Sequence, residues 1–564
     1  MIINRKISVQ TVIALLAMFA AAVLIAAMPS PAAALSWSLP VVNLSTPGED
    51  IVANDQQVAV AADGTTTVAW LRWTSIYEYS VLVRTRPAGS NTFRAAENLS
   101  GLRSGVLGEV PFEMAVAADG TTTVVWYGDY GSNYAVQTRT RPAGSNTFNA
   151  LENLYVAALD TYQPQVAVAA ADGATTVVWS MFASSIQART RPAESNTFGA
   201  VENISAAGQS AGEPRIAVAA DGVTTVAWIS FDNFTPIIQT RTRPAGSTTF
   251  GNIENLSPSG DGVENPGVAA GANGTTTVVW DRNEGSHFSV QARTRPAGSS
   301  SFSAAEKLST AGQWSSGAEV AIAADGATTV AWSRGDSSSI GDILETRTRP
   351  AGSSSFGAVQ KMVGSGRNTG GWQIAVAANG TTTVVFSSRS THPRNDEVII
   401  VQVRTRPAGS STFSKPVTLS PAGQEFYGPQ VAIAANGVTT VVWNTSVGAR
   451  VGIIQARTSG SGGSFTVRSV KASRLALTSS VAVPGPGKLT QRVTRKSRGA
   501  TLTVCKTSGQ VTKAGTVKLT CKLSSATRAA LRKRSLRVSV KTTFTPTGGL
   551  PAHKTQTVTL KRKR

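Results

Sequence analysis

Two cysteines in 564 residues cannot build a disulfide-dense scaffold or a Cys-only zinc site, and three histidines (His287, His392, His553) leave little for metal chemistry. Charged residues make up only 15%, which excludes a coiled coil or a highly charged disordered chain. Beyond the first thirty residues no apolar run is long enough to cross a bilayer. H-E-x-x-H and phosphate-loop motifs are absent, and no cofactor or metal is expected. No Asp or Glu follows Glu425, and Phe544 is the only aromatic residue after Phe465.

What is present begins with an export signal over residues 1–34. Arg5 and Lys6 supply the basic start, Val12 to Met28 the apolar stretch, and Ala32-Ala33-Ala34 a small-residue cleavage site behind Pro29 and Pro31. An uncleaved anchor is the alternative. Either way the remaining chain is expected to be secreted or held at the cell surface. From Thr466 onward there are 23 Lys and Arg, so the formal +21 belongs to the tail and residues 1–465 carry −2. Such a tail is expected to meet an anionic polymer of the cell envelope. Without interleaved aromatics it is not expected to bind nucleic acid specifically.

An internal repeat organises residues 35–465. The phrase V-A-V-A-A-[DN]-G-x-T-T-V-x-W, followed by R-T-R-P-A-G-S-x-x-F-x-x-x-E-N-L-S, recurs eight times. Its aromatic landmark falls at Trp70, Trp126, Trp179, Trp228, Trp280, Trp332, Phe386 and Trp443, with 49 to 57 residues between neighbours. Each copy predicts four short strands. Asp-Gly or Asn-Gly is expected to form a type I′ turn between the first two, and Pro-Ala-Gly-Ser turns the third into the fourth. The expected fold is therefore all-β: an eight-bladed β-propeller of four-stranded blades. Trp37 to Ser45 matches the fourth-strand ending of the other copies and is expected to close the ring, with Ser464 to Ser473 as the competing candidate. The paired arginines, such as Arg84/Arg86 and Arg139/Arg141, are expected to face glutamates such as Glu97, Glu152, Glu202, Glu254 and Glu306 in a cross-strand ladder.

In four-stranded blades the repeated turns share one face of the disc, and the loops that differ from copy to copy share the other. A site made once must use the variable face. The candidate ligand-binding residues are the aromatics assigned to it: Trp73, Tyr77, Tyr79, Tyr127, Tyr130, Tyr134, Tyr155, Tyr162, Trp314 and Trp372. Acids precede several first strands (Asp55, Glu113, Asp160, Glu213, Glu264, Glu319, Glu425), where structural or solvated roles are expected. Asp129, Asp281, Glu284 and Asp336 are loop acids with nothing to set one above another.

The repeat region resembles secreted bacterial proteins of the sialidase-like β-propeller group. That resemblance implies a Tyr nucleophile, a carboxylate acid/base, an arginine triad and S-x-D-x-G-x-T-W turns. This chain departs from all of these, with adjacent Asp-Gly and eight copies rather than six.

Ser459 to Ser464 is a Gly/Ser linker, residues 466–498 are expected to be a basic linker, and 499–564 a small basic Ig-like β-sandwich. A short helix is expected over Ser524 to Arg534. The Phe544-Thr545-Pro546-Thr547-Gly548-Gly549 run and the cysteine pair resemble the module appended to many secreted actinobacterial proteins, which implies no activity. Cys505 and Cys521 are expected to be joined, because export places them in an oxidising setting. The leading expectation is a monomeric, non-catalytic binding protein for a glycan or protein ligand. Its alternatives are a propeller glycoside hydrolase or lyase and a structural adhesin-like spacer.

Overall fold

The computed structural model describes Trp37 and residues 40–562, less a set of short internal stretches of which the longest are 101–111, 336–342 and 364–370. The export signal lies outside the described residues. Among those described, no helix is long and apolar enough to cross a membrane.

Each repeat copy becomes one antiparallel four-stranded sheet, and eight such sheets follow one another along the chain. In the first, Gln57–Val60, Thr66–Ser75, Glu78–Arg86 and Glu97–Asn98 pair in order, with Val58 opposite Val68 and Val83 opposite Glu97. The landmark aromatics fill the space between sheets and are all essentially buried. The Asp-Gly turn differs from expectation. Only Gly64 takes a positive φ, the Gly64 N–H bonds the Ala61 carbonyl, and the Ala61 N–H bonds the Thr65 carbonyl. This is a type I turn followed by a left-handed glycine rather than a type I′ turn. The Asp63 carboxylate accepts from both the N–H (2.7 Å) and the hydroxyl (2.9 Å) of Thr65, which rewards the Asp for staying at negative φ.

The inner strand of each sheet lies against that of the next, and the eighth against the first. Val42–Asn43 is the outermost strand of the eighth sheet, opposite Ala456 and Gln455. Its surroundings repeat those of the internal copies. Ile454 N–H donates to Ser45 Oγ as Ile238 N–H does to Ser257 Oγ, both at 2.9 Å. The competing closure is excluded, because Thr466–Ala472 pairs with Ala476–Val483 instead.

The arginines do not form the expected ladder. Except at Arg349, the second of each pair forks between threonine hydroxyls of its own sheet and the preceding one, and all but the half-buried Arg86 are buried. Arg295 donates to Thr276 at 3.0 Å in its own sheet, and to Thr242 and Thr225 in the fourth at 2.6 and 3.0 Å, with Phe302 against its plane. Arg141, Arg191 and Arg243 repeat the pattern. Arg86 applies it across the closure, to Thr458 and Thr440 of the eighth sheet. The first arginine of each pair reaches carbonyls on the outer edge of the preceding sheet, as Arg241 does to Asn203 and Ile204. Glutamates join only marginally: Glu97 sits 3.8 Å from Arg139 and Glu306 3.9 Å from Arg347, each across a sheet boundary.

Beyond Phe465 the expected linker is in fact structured. Thr466–Ala472, Ala476–Val483 and Gly487–Ser497 are strands whose alternating apolar residues are partly buried in the first and buried in the other two, and they belong to the same two sheets as the later strands. A three-stranded and a four-stranded sheet result, joined by the Cys505–Cys521 disulfide. The helix spans Ser525–Lys533, with Ser524 as its N-cap.

Arg295→Ala strips the partner from three largely buried hydroxyls and is expected to cost about 2–4 kcal/mol, read as a lower denaturation midpoint. Arg295→Lys should recover little, because one ammonium cannot fork across two sheets.

Candidate active site

The variable face carries a constellation that the repeat pattern does not explain. In most sheets the first strand has a bulge near its start, in register shifts such as Glu264/Gly267 in the fifth and Ser316/Glu319 in the sixth. The kink brings one residue into the left-handed region: Gly317 and Gly428 do so freely, while Gln163, Glu213 and Asn265 do so at some cost. In the fifth sheet the bulge aims the Asn265 amide at Asp281, whose Oδ2 accepts from Asn265 Nδ2 at 2.9 Å and from the Gly317 N–H of the sixth sheet at 2.8 Å.

Asp281 follows the landmark Trp280. The equivalent residues elsewhere are Leu71, Tyr127, Ser180, Ile229, Ser333, Ser387 and Asn444, so the fifth copy alone places a carboxylate there. Asp281 has no solvent exposure. Burial, with a smaller contribution from the Glu264 charge, pushes its pKa up to about 6 against hydrogen bonds from Gly317, Asn265 and Ala318. Glu264 is the residue directly opposite Asp281 across the strand pair, and it is exposed. Opposed residues present side chains on one face about 4.5–5.5 Å apart at Cβ. The result is two carboxylates in contrasting environments, one held toward its neutral form and one open to solvent.

Aromatic residues border this pair. Trp372 of the seventh sheet packs on Gly317, where an added Cβ would lie 3.4 Å from the indole. Trp314 is 50% exposed and meets Phe288 edge-on at 5.0 Å. Nearby, Glu284 accepts from Lys307 (2.6 Å) and Ser289 (2.8 Å) and lies 3.1 Å from His287, an arrangement that satisfies the acid locally.

Of the ten aromatics expected to bind ligand, Trp372 thus packs on the glycine that holds Asp281, Trp314 precedes that glycine by three residues and is exposed, and Trp73 is partly exposed. Tyr79 and Tyr127 are corrected: both are buried, because the strands run on past the predicted loops and turn these rings into the sheet–sheet core. Tyr134 stacks on Tyr127 at 5.5 Å and Tyr155 packs at 5.7 Å from Trp179. Tyr77, Asp160 and Asp336 lie outside the described residues, as do the side chains of Tyr130, Tyr162 and Asp129. Gly208-Gln209-Ser210-Ala211-Gly212 fits a G-x-S-x-G pattern, but Ser210 opens a strand opposite Phe231 and not a strand-to-helix turn. Among the described residues no group of three or more His, Cys, Asp or Glu is placed to hold a metal. A hollow of about 620 Å³ lies on the other face between the second and third sheets, lined by residues of the repeated phrase such as Asp119, Glu152 and Arg191. Repetition marks it as a seam between sheets.

A second set of acids serves the ring itself. Side chains near the start of several inner strands reach to the next: Gln57 to Phe112 and Met114, Gln373 to Val431, and Glu319 to the Ile374 N–H at 3.3 Å. Gln occupies this position in four sheets (Gln57, Gln165, Gln373, Gln430), and Glu in two. Burial pushes Glu319 up to about 7 and raises Glu113, which accepts from Gln165 at 3.1 Å.

No protein-family model and no curated protein matches the chain. Solved structures do match, and β-propeller-like carbohydrate enzymes are among them. The polysaccharide lyase Uly1 is 10% identical over 74% of this chain and 99% of its own, with a TM-score of 0.44. A PL25 ulvan lyase bound to -[GlcA(1-4)Rha3S]- is 10% identical over 73% and 95%, at 0.41. The GH93 α-L-arabinofuranosidase of Fusarium graminearum, in complex with arabinobiose, is 11% identical over 52% and 92%, at 0.33. The expectation of a non-catalytic binding protein is corrected by these matches in favour of its alternative, a propeller hydrolase or lyase. At such scores they say nothing about individual residues.

Glu319 is neutral when folded up to about pH 7 and ionises near the ordinary value of 4.5 when unfolded. Its contribution to stability is therefore full below the unfolded value and is lost as pH rises through about 7. Glu319→Gln, which copies Gln373 and Gln57, is expected to raise the denaturation midpoint at about pH 8 and to flatten its fall between about pH 5 and 8. An unchanged pH slope contradicts the assignment.

Proposed function

We propose that the chain is an exported, eight-bladed β-propeller enzyme that cleaves a glycan, as a hydrolase or a lyase, with residues 466–564 as a separate β-sandwich. The observation that carries the reading is the Glu264–Asp281 pair at the bulge of the fifth sheet. Glycosidic cleavage needs an acid to protonate the departing oxygen and a base to activate water or, in a lyase, to take the proton beside a uronate carboxyl. Exposed Glu264 suits the second role, and Asp281, held neutral to about pH 6 but closed off from solvent, serves the first once the bound glycan opens the site to it. Asn265 and Gly317 orient the acid, and Trp314 offers an apolar face for a sugar ring. The line of Trp314, Gly317 and Trp372 directs a chain of sugars over the fifth to seventh blades.

The test is turnover on polyuronide, sulfated-glycan and arabinan substrates, with reducing ends and unsaturated sugar ends measured in parallel. Unsaturated ends indicate a lyase, and reducing ends alone a hydrolase. Asp281→Asn and Glu264→Gln are each expected to lower kcat at least about 100-fold without loss of fold. Activity should fall as pH rises through about 6, where Asp281 loses its proton. Activity undiminished in both variants, or none on any substrate class, refutes the reading.

A further inference from the structure

The C-terminal four-stranded sheet has one apolar face and one solvent face. Leu489, Val493, Val538, Val540 and Phe544 are buried on the first. On the second, strand register sets Lys506 opposite Arg492, Arg492 opposite Lys541, and Lys541 opposite Thr555. All four side chains are exposed. Adjacent strands are about 4.8 Å apart, so three cations stand in a row within roughly 10 Å. Directly opposed like charges destabilise a strand pair. Such a row is ordinarily relieved by carboxylates, yet the chain has none after Glu425, and no ion pair among the described residues reaches these three. The next row is Ser508, Thr490, Thr543 and His553, and Lys488 and Arg537 flank the two. The face therefore combines uncompensated cations with hydroxyl groups and carries no Phe, Tyr or Trp ring.

We propose that this face is a binding site for an anionic polysaccharide, with the Lys506–Arg492–Lys541 row engaging its carboxylates or sulfates and the Ser/Thr row its hydroxyls. A flat sheet suits a linear polymer, and the missing aromatics argue against nucleic acid, whose bases need stacking partners. The inference rests on no part of the active-site reading.

The test measures binding of the full chain to polygalacturonate, neutral dextran, polyphosphate and poly-U RNA at several salt concentrations. Polygalacturonate is expected to bind most tightly and to weaken with added salt, while dextran does not bind. Joint replacement Arg492→Gln, Lys506→Gln and Lys541→Gln is expected to weaken binding at least about tenfold. The same change at Lys471, Lys518 and Lys522, on the other sheet, should cost far less. Equal losses in the two triple variants would show diffuse attraction and overturn the assignment. So would RNA or polyphosphate binding as tightly as polygalacturonate. Thermal unfolding of both variants checks that the sheet is intact, and Arg492→Lys, which keeps the charge, should retain binding.

Discussion

The ring is held by buried guanidinium groups that find hydroxyls rather than carboxylates. Burial lowers the pKa of Arg86, Arg141, Arg191, Arg295, Arg349 and Arg406, the sign that taking the charge out of water costs energy. Threonines repay part of this, and a single copy does not hold all of them. The forked donor needs one hydroxyl from its own sheet and others from the sheet before. One sequence phrase supplies both partners: Arg-Thr-Arg gives the donor and one threonine, and Thr-Thr before the landmark Trp gives the rest. A blade alone therefore leaves its arginine unsatisfied, and the interaction couples each sheet to its neighbour. Two boundaries depart from the rule. Arg349 bonds Ser353, Gly326 and Thr328 of its own sheet, and Ser459 stands where the eighth copy would have the arginine, leaving the Thr383 hydroxyl buried without a partner among the described residues.

Much of this architecture was legible in the sequence, because a repeat states its strand boundaries eight times. The four strands of each sheet, the closing strand at Val42–Asn43, the cysteine pair and the Ser524 cap all follow from local signals. What was not legible depends on three-dimensional neighbours. The arginines look like partners for Glu97 and Glu152 when strands are considered in isolation, and their threonines lie in another copy. Tyr79 and Tyr127 look like loop residues because strand length beyond the repeat has no signature of its own. Residues 466–498 look like a linker because their small alternating residues, such as those of Ala476–Val483, resemble a Ser/Val-rich spacer until a second sheet covers them.

The same comparison explains where the chemistry was hidden. Asp281 and Glu264 were both visible as acids, but their pairing depends on a bulge that shifts register by residues no periodicity marks. The sequence signal that would have separated them is departure from the repeat at fixed positions. The residue after the landmark aromatic is a carboxylate once in eight copies, and in that same copy the left-handed bulge position holds Asn, where other bulged copies have Gln, Glu or Gly. In a repeat protein the shared residues maintain the ring, and the exceptions mark places freed from that duty.

The most direct test of this account is peptide-resolved hydrogen exchange on the full chain, with and without a pool of uronate and arabinose oligosaccharides. Added protection concentrated on 262–267, 314–319 and 372–373 would place the sugar over the carboxylate pair, as the account predicts. Protection centred on the tyrosine-bearing strands of the first three sheets, or none anywhere, would contradict it.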